Sequence, residues 1–133
     1  MASIFTKIIN GEIPCHKVAE SDQYLAFLDI RPNAKGHTLV IPKEEVDYIF
    51  DLSAEQIAGL MQFAQRVAKA IEMEIDCKRV GVLVVGTEVP HAHIHLIPFQ
   101  RESQMNILGP KLEMQAEEMA KIAAGINKRF VEA

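Results

Sequence analysis

The chain is short of the features that mark several large classes of protein. It has two cysteines, Cys15 and Cys77, and no Cys-x-x-Cys pair. Without a secretory context they are expected to be reduced thiols of a cytoplasmic protein, not a disulfide framework. No cluster of lysines or arginines occurs and the net charge is −4, so a nucleic-acid-binding surface is not expected. A single nucleotide is a different matter, because local positive potential and imidazoles can outweigh a small net negative charge. No apolar run approaches the ~20 residues that cross a bilayer. The N-terminus lacks the basic segment and apolar run of a signal peptide. Neither a membrane partner nor export is expected. No repeat, low-complexity tract or linker is visible, so the 133 residues are predicted to form one domain over 1–133. Hydrophobic residues make up 49% and charged residues 24%, a balance that argues against disorder.

What is there centres on Pro90-His91-Ala92-His93-Ile94-His95-Leu96-Ile97-Pro98. Three of the five histidines fall here at every second position, with apolar residues between them. Alternation at period two predicts a strand. His91, His93 and His95 then share one face, and Ala92, Ile94 and Leu96 share the other. Pro90 and Pro98 bracket the run, as proline belongs at strand ends. Same-face neighbours on a strand lie about 6.7 Å apart, so adjacent histidines can act on one small ligand. The outer two lie roughly 13 Å apart by the same rise, too far to share one metal ion easily. A row of imidazoles can supply a nucleophile and hydrogen-bond donors for an anion together. Zinc held by an i, i+2 pair is the rival reading, and it needs a further ligand from elsewhere. Three idle histidines on one face is the weakest reading, since burying imidazoles without a task costs desolvation.

The run His91-Ala92-His93-Ile94-His95-Leu96-Ile97 resembles the His-x-His-x-His-x-x signature, x apolar, of the histidine triad family of nucleotide hydrolases and transferases, in its Hint-like branch. Leu28-Asp29-Ile30-Arg31-Pro32, followed by Gly36-His37-Thr38-Leu39-Val40-Ile41-Pro42-Lys43, is similar to that family's first conserved block. Ser3 to Pro14 is similar to its N-terminal segment, so the likeness spans roughly residues 3 to 99 in the expected order.

The resemblance implies a role for each matching residue. His93 would be the nucleophile, with His91 and His95 facing phosphate or orienting its ring. His37 would support the three by a hydrogen bond. Asp29 would accept hydrogen bonds from the ribose hydroxyls, and Phe5, Ile8, Phe27 and Ile30 would line the base. The implied substrate is a purine nucleotide, the implied assembly a homodimer, and no cofactor is called for. Many relatives hold a structural zinc through two N-terminal cysteines and a later histidine. Here Ser3 and Thr6 stand at the cysteine positions and the histidine is replaced within Lys43-Glu44-Glu45, so no metal is expected. The loop before the triad is a second departure. Gly86-Thr87-Glu88-Val89-Pro90 is shorter than usual, and Glu88 falls where relatives carry a hydroxyl near phosphate. A carboxylate there would repel phosphate. Either it turns away or it recognises a cationic or amine leaving group.

Read in order, the chain predicts a helix over 3–10, strands at His16–Glu20, Tyr24–Ile30 and His37–Ile41, and a short helical or turn segment over Glu44–Asp51. Ser53-Ala54-Glu55-Gln56 is a capping box opening a long helix along Ile57, Leu60, Met61, Ala64, Ala68, Ile71 and Ile75, with its methionines filling the core. A strand at Val80–Val85, the triad strand, an irregular stretch over Gln100–Pro110 and a helix from about Glu113 to Phe130 complete it. His16 is expected at the surface. This order is α+β, not doubly wound. With the resemblance it implies a five-stranded antiparallel sheet, one long central helix, a short N-terminal helix and a C-terminal helix. Three functions fit: hydrolysis of nucleoside 5′-phosphoramidates through a nucleotidyl-histidine, cleavage or transfer on dinucleoside polyphosphates, and nucleotide binding for regulation.

Overall fold

The computed structural model describes residues 2–133. Helix α1 spans Ile4–Ile9; the Ser3 hydroxyl caps it by accepting the Thr6 N–H at 3.0 Å. Gly11, at φ +79°, turns the chain out of it. Strands β1 (Lys17–Glu20), β2 (Tyr24–Leu28) and β3 (Thr38–Pro42) follow, then helix α2 (Ala54–Glu74), strands β4 (Arg79–Leu83) and β5 (Ile94–Phe99), and helix α3 (Ala116–Glu132). The five strands form one antiparallel sheet in the order β1-β2-β3-β5-β4. The expected architecture is therefore present, with a 3₁₀ turn at Ile49–Asp51 inside the predicted helical or turn segment and a second at Glu102–Met105, in the stretch expected to be irregular. No helix among the described residues is long and apolar enough to cross a membrane.

The sheet buries both faces, which is why β3 reads as an unbroken apolar run. One face carries Val18, Ala26, Leu28, Val40, Ile94 and Leu96 against α2 and α3. The other carries Leu25, Phe27, Leu39 and Ile41 beneath Phe5 of α1. Ser53 and Gln56 make the capping box that opens α2, as the sequence predicts.

Three local expectations fail. The α2 methionines are not core: Met61 is 43% and Met73 60% exposed. The buried stripe is Leu60, Phe63, Ala64, Val67, Ala70 and Ile71. Met61 follows Leu60 directly, and one residue turns a helix by about 100°, which carries it off that stripe. Second, the regular triad strand begins at Ile94, so His91 and His93 lie in the chain leading to it. Its pairing with β3 ends at Val40–Ile94. Beyond that point Pro42 has no N–H, and its carbonyl accepts from the His91 ring at 2.7 Å. Ala92 N–H turns instead to the Val46 carbonyl at 2.7 Å. Pro98 is inside β5, not at its end, opposite Val80. Third, β2 stops at Leu28 and β4 at Leu83, leaving Asp29, Ile30, Val84 and Val85 in loops. His16 is half-buried, not fully at the surface.

Candidate functional site

The site grows from the sheet register. His95 of β5 sits opposite Leu39 of β3, so its ring lies on the Phe5–Phe27 face. His93, next along that side, meets His95 edge to face at a centroid distance of 5.0 Å. The Phe5 ring closes on His93 at 5.0 Å and on His91 at 5.8 Å, both edge-on. The three imidazoles thus share a face as the alternation predicts, although two precede the regular ladder. His37 enters from the start of β3. Gly36 before it has φ +92°, and a Cβ there would stand 2.9 Å from Ile75 Cγ1, so conformation and space both require glycine.

His37, His91 and His93 each have a partner that can only donate or only accept, and this fixes where their protons sit and, through His37, that of His95. Asn33 N–H donates to His37 Nδ1 at 3.0 Å. The His37 proton is therefore on Nε2, and it is directed at His95 Nδ1, 3.0 Å away. His95 must then carry its own proton on Nε2. His93 Nδ1–H donates to the His91 carbonyl at 2.7 Å, which leaves the lone pair of the neutral ring on Nε2. His91 Nε2–H donates to the Pro42 carbonyl, and His91 Nδ1 accepts the Ser3 hydroxyl at 2.9 Å. Among the described residues no buried side-chain nitrogen or oxygen lacks a partner. His93 Nε2 and His95 Nε2 make no protein hydrogen bond, so both open onto the site.

Burial is the main reason His37, His91 and His95 stay neutral. It holds His37 down at about 3, helped by His95 and by the cation of Lys111. It holds His95 at about 4, helped by His93 and Lys111. His91 is lowered too, chiefly by burial. Asp29 follows β2, accepts the Arg31 N–H at 2.9 Å and stands 3.7 Å from His37 Nε2. Burial raises its carboxyl, while the Arg31 N–H and Lys111 pull it down and the charge of Glu88 pushes it up.

Two groupings could suggest a metal. Asp29, His37 and His95 have ligand atoms within 4.8 Å of one another. His37, however, accepts at Nδ1 and donates at Nε2, so it has no lone pair to offer. The second is where Ser3 and Thr6, at the cysteine positions, meet Glu45, from the segment in which the histidine is replaced, and His91. There Glu45 Oε1 accepts Ser3 N–H and Thr6 Oγ1–H, both at 2.6 Å, and these bonds hold its carboxyl down at about 2. Two neutral hydroxyls are poor zinc ligands, and His91 Nδ1 is already taken, so this donor set does not fit the ion. Hydrogen bonds tie α1 to the triad instead.

The structure therefore brings together His37, His91, His93, His95, Asp29, Phe5 and Phe27. Phe5 and Phe27 are buried and pack edge-to-face at 5.5 Å beneath the site. Ile8 is half-buried beside them. Ile30 is 72% exposed and not packed into this buried cluster. Glu88 is exposed on the loop before the triad. His93 also borders a recess of about 250 Å³ lined by Asp47, Tyr48 and the 84–87 segment. The sequence reading missed Asn33 and Lys111. Asn33 lies just after Pro32, between the two stretches that resemble the family's first block, but Lys111 is in a stretch with no local pattern.

Comparison with known proteins agrees with this geometry. The pattern of the HIT domain family matches residues 10–102. Adenosine 5′-monophosphoramidase hnt1 of Schizosaccharomyces pombe is 37% identical over 132 residues, covering 98% of this chain and 99% of that protein. Protein hit of Bacillus subtilis is 34% identical, covering 96% of this chain and 93% of its own length. The crystal structure of a Hit-like protein from Bartonella henselae superimposes with a TM-score of 0.84 at 32% identity, covering 96% of this chain and 95% of that one. The matched segment holds Asp29, His37 and the three alternating histidines, and relatives at 37% identity align over nearly the whole chain: this chain belongs to the HIT domain family.

Proposed function

We propose that this chain hydrolyses nucleoside 5′-phosphoramidates at the α-phosphorus, through a nucleotide bound covalently to His93. The observation that carries this reading is the pair of open ring atoms. His93 Nε2 offers a lone pair and His95 Nε2 offers a proton, side by side on rings 5.0 Å apart. An attacking nitrogen beside a donor for a phosphate oxygen is the arrangement that covalent phosphoryl chemistry needs. In the first step the Nε2–P bond forms as the P–N bond breaks, and the departing amine takes up a proton from solvent. In the second, water cleaves Nε2–P, releases a proton and returns nucleoside monophosphate and neutral His93. Asp29 would hold the ribose hydroxyls through its carboxylate, whose Oδ1 accepts the Arg31 N–H and whose Oδ2 lies 3.7 Å from His37 Nε2. Ile8 and Ile30 would border the base above the buried Phe5 and Phe27. Further support comes from the names of relatives: Schizosaccharomyces pombe and Saccharomyces cerevisiae proteins, each 37% identical, are adenosine 5′-monophosphoramidases.

The test is to quench the protein during turnover of an adenosine or guanosine phosphoramidate and search for the mass of a nucleotidyl group on His93. Hydrolysis without any adduct at His93 would overturn the covalent route. Absence of hydrolysis, with nucleotide still bound, would leave a binding protein.

Glu88 gives this reading a preference for leaving groups. Glu88 is exposed on the loop before the triad, and its charge acts on the Asp29 carboxyl. A cationic amine would be favoured and a phosphate leaving group repelled. Exposed charge pairs contribute up to about 1 kcal/mol. Glu88→Ser should therefore reduce the ratio of kcat/KM for amine over phosphate leaving groups by about 5-fold. An unchanged ratio would remove Glu88 from specificity. The same reading includes a homodimer: β4 is an edge strand with Val82 exposed, and Val84 and Val85 extend that apolar edge. Light scattering should return twice the chain mass.

A further inference from the structure

Outside the segment matched to the family lies a cation with an unusual anchorage. Lys111 is half-buried in the extended stretch before α3. Its ammonium donates to Asn33 Oδ1 at 2.5 Å and to the Ile107 carbonyl at 2.7 Å. Asn33 is itself buried and fully engaged: its Nδ2 donates to the Gln104 carbonyl at 2.8 Å and the Asn106 carbonyl at 3.1 Å. The orientation of this amide is unambiguous, because lysine can only donate and the two carbonyls can only accept. The loop is held a second time by Leu112 N–H on the Pro32 carbonyl at 2.8 Å. The backbone N–H of the same Asn33 donates to His37 Nδ1, and His37 Nε2 faces His95 Nδ1. A continuous series of bonds thus runs from Lys111 to the open proton of His95.

We infer that Lys111 is a positioning residue: through Asn33 it locks His37 and His95 into one proton arrangement, with the His95 proton on Nε2 facing the phosphate. Its charge acts in the same direction as its hydrogen bonds. It opposes protonation of both rings and favours the ionised form of Asp29. The other titratable groups facing this pair are His93, beside His95, and Asp29, 3.7 Å from His37 Nε2, with Glu88 acting on Asp29. A carboxylate beside His37 would otherwise draw a proton onto the ring. A fixed cation behind the pair counters that pull without touching the substrate.

The proton arrangement stands on geometry alone, whereas its effect on turnover rests on the reading proposed above. The test separates them. Nitrogen-15 NMR of the histidine rings in the wild-type protein should show His37 and His95 both neutral with the proton on Nε2. Either ring in the other tautomer would overturn the relay, whether or not the protein hydrolyses anything. In Lys111→Met the acid titration of His95 should move to higher pH and its ring signals should broaden between tautomers. With an adenosine phosphoramidate, kcat should fall about 10–100-fold, as for loss of an outer-shell partner, with KM within about 3-fold. Lys111→Arg, which keeps the charge and donors, should recover most of that loss. Unchanged ring signals, titration and kcat in Lys111→Met would overturn the inference. If the wild-type protein lacks turnover while its rings show the stated tautomers, the proposed function fails and the relay survives.

Discussion

His93→Ala is expected to remove turnover while nucleotide binding persists. The expected loss in kcat is at least about 10³-fold, equivalent to ~4 kcal/mol of transition-state stabilisation. The size follows from what the ring does. Its Nδ1–H is held on the His91 carbonyl, so the lone pair that would attack phosphorus is already aimed before substrate arrives. Alanine removes that lone pair, and water would have to attack directly without a second nucleophile to divide the displacement into two steps. In the proposed function binding would depend on other groups: Asp29 on ribose, the apolar border at Ile8 and Ile30, and the His95 proton on phosphate. The dissociation constant of the nucleoside monophosphate should therefore stay within about 3-fold, a difference of under 1 kcal/mol. Full turnover in His93→Ala would refute the mechanism, and lost binding would show that His93 is part of the nucleotide pocket.

That variant also distinguishes the roles of the neighbouring rings. His95→Ala should lower kcat without abolishing an adduct on His93, because it removes a donor and not the attacking atom. His91 has no open nitrogen: Pro42 and Ser3 occupy both. Its contribution is its carbonyl, which fixes His93, together with the hydrogen-bonded tie to α1. The expectation that His91 faces phosphate is therefore not favoured by its hydrogen bonds, which point its ring into the protein.

How far the sequence shows this arrangement depends on the range of the interaction. The shared face of His91, His93 and His95 is legible because alternation is a property of adjacent residues. The start of the ladder at Ile94 is not, because it is decided by Pro42, which belongs to another strand and cannot donate. The opening of α2 is legible from Ser53 and Gln56, three residues apart. Its buried stripe is not, since choosing Phe63 and Val67 over Met61 needs the position of the sheet beneath. Lys111 and Asn33 are 78 residues apart, and nothing local to either announces the bond. The departures at Ser3, Thr6 and Glu45 are visible as substitutions. What replaces the missing ligands, hydrogen bonds onto one carboxylate oxygen, is visible only when α1 and the β3 exit are seen together.

The second large effect is on stability in mild acid. The protein should lose stability as pH falls from about 6.5 to 4.5, before most carboxylates protonate. The sign follows from proton counts. In the unfolded chain His37 and His95 titrate near 6.5, while in the folded protein they are held at about 3 and about 4. Between those limits the unfolded state binds protons that the folded state refuses, so stability is complete above the unfolded value and falls below it. His91, also lowered, adds to the same trend. For His37 and His95 together the loss is about 3–5 kcal/mol by pH 4.5, a large part of a small domain's stability. Asp29 acts in the opposite sense, because its raised carboxyl takes up a proton more readily when folded. Glu45, held at about 2, contributes stability that is lost only below the ordinary carboxylate range. Neither sets the slope in the histidine window. Urea unfolding at pH 7.5, 6.0 and 4.5 and constant ionic strength should show a midpoint that drops steadily. An equal midpoint at all three values would mean that the folded protein takes up these protons as readily as the unfolded chain, and the argument that burial keeps His37 and His95 neutral in mild acid would fall. His95→Gln, which replaces a titrating ring with an amide that stays neutral, should flatten the slope and so assign the effect to this pair.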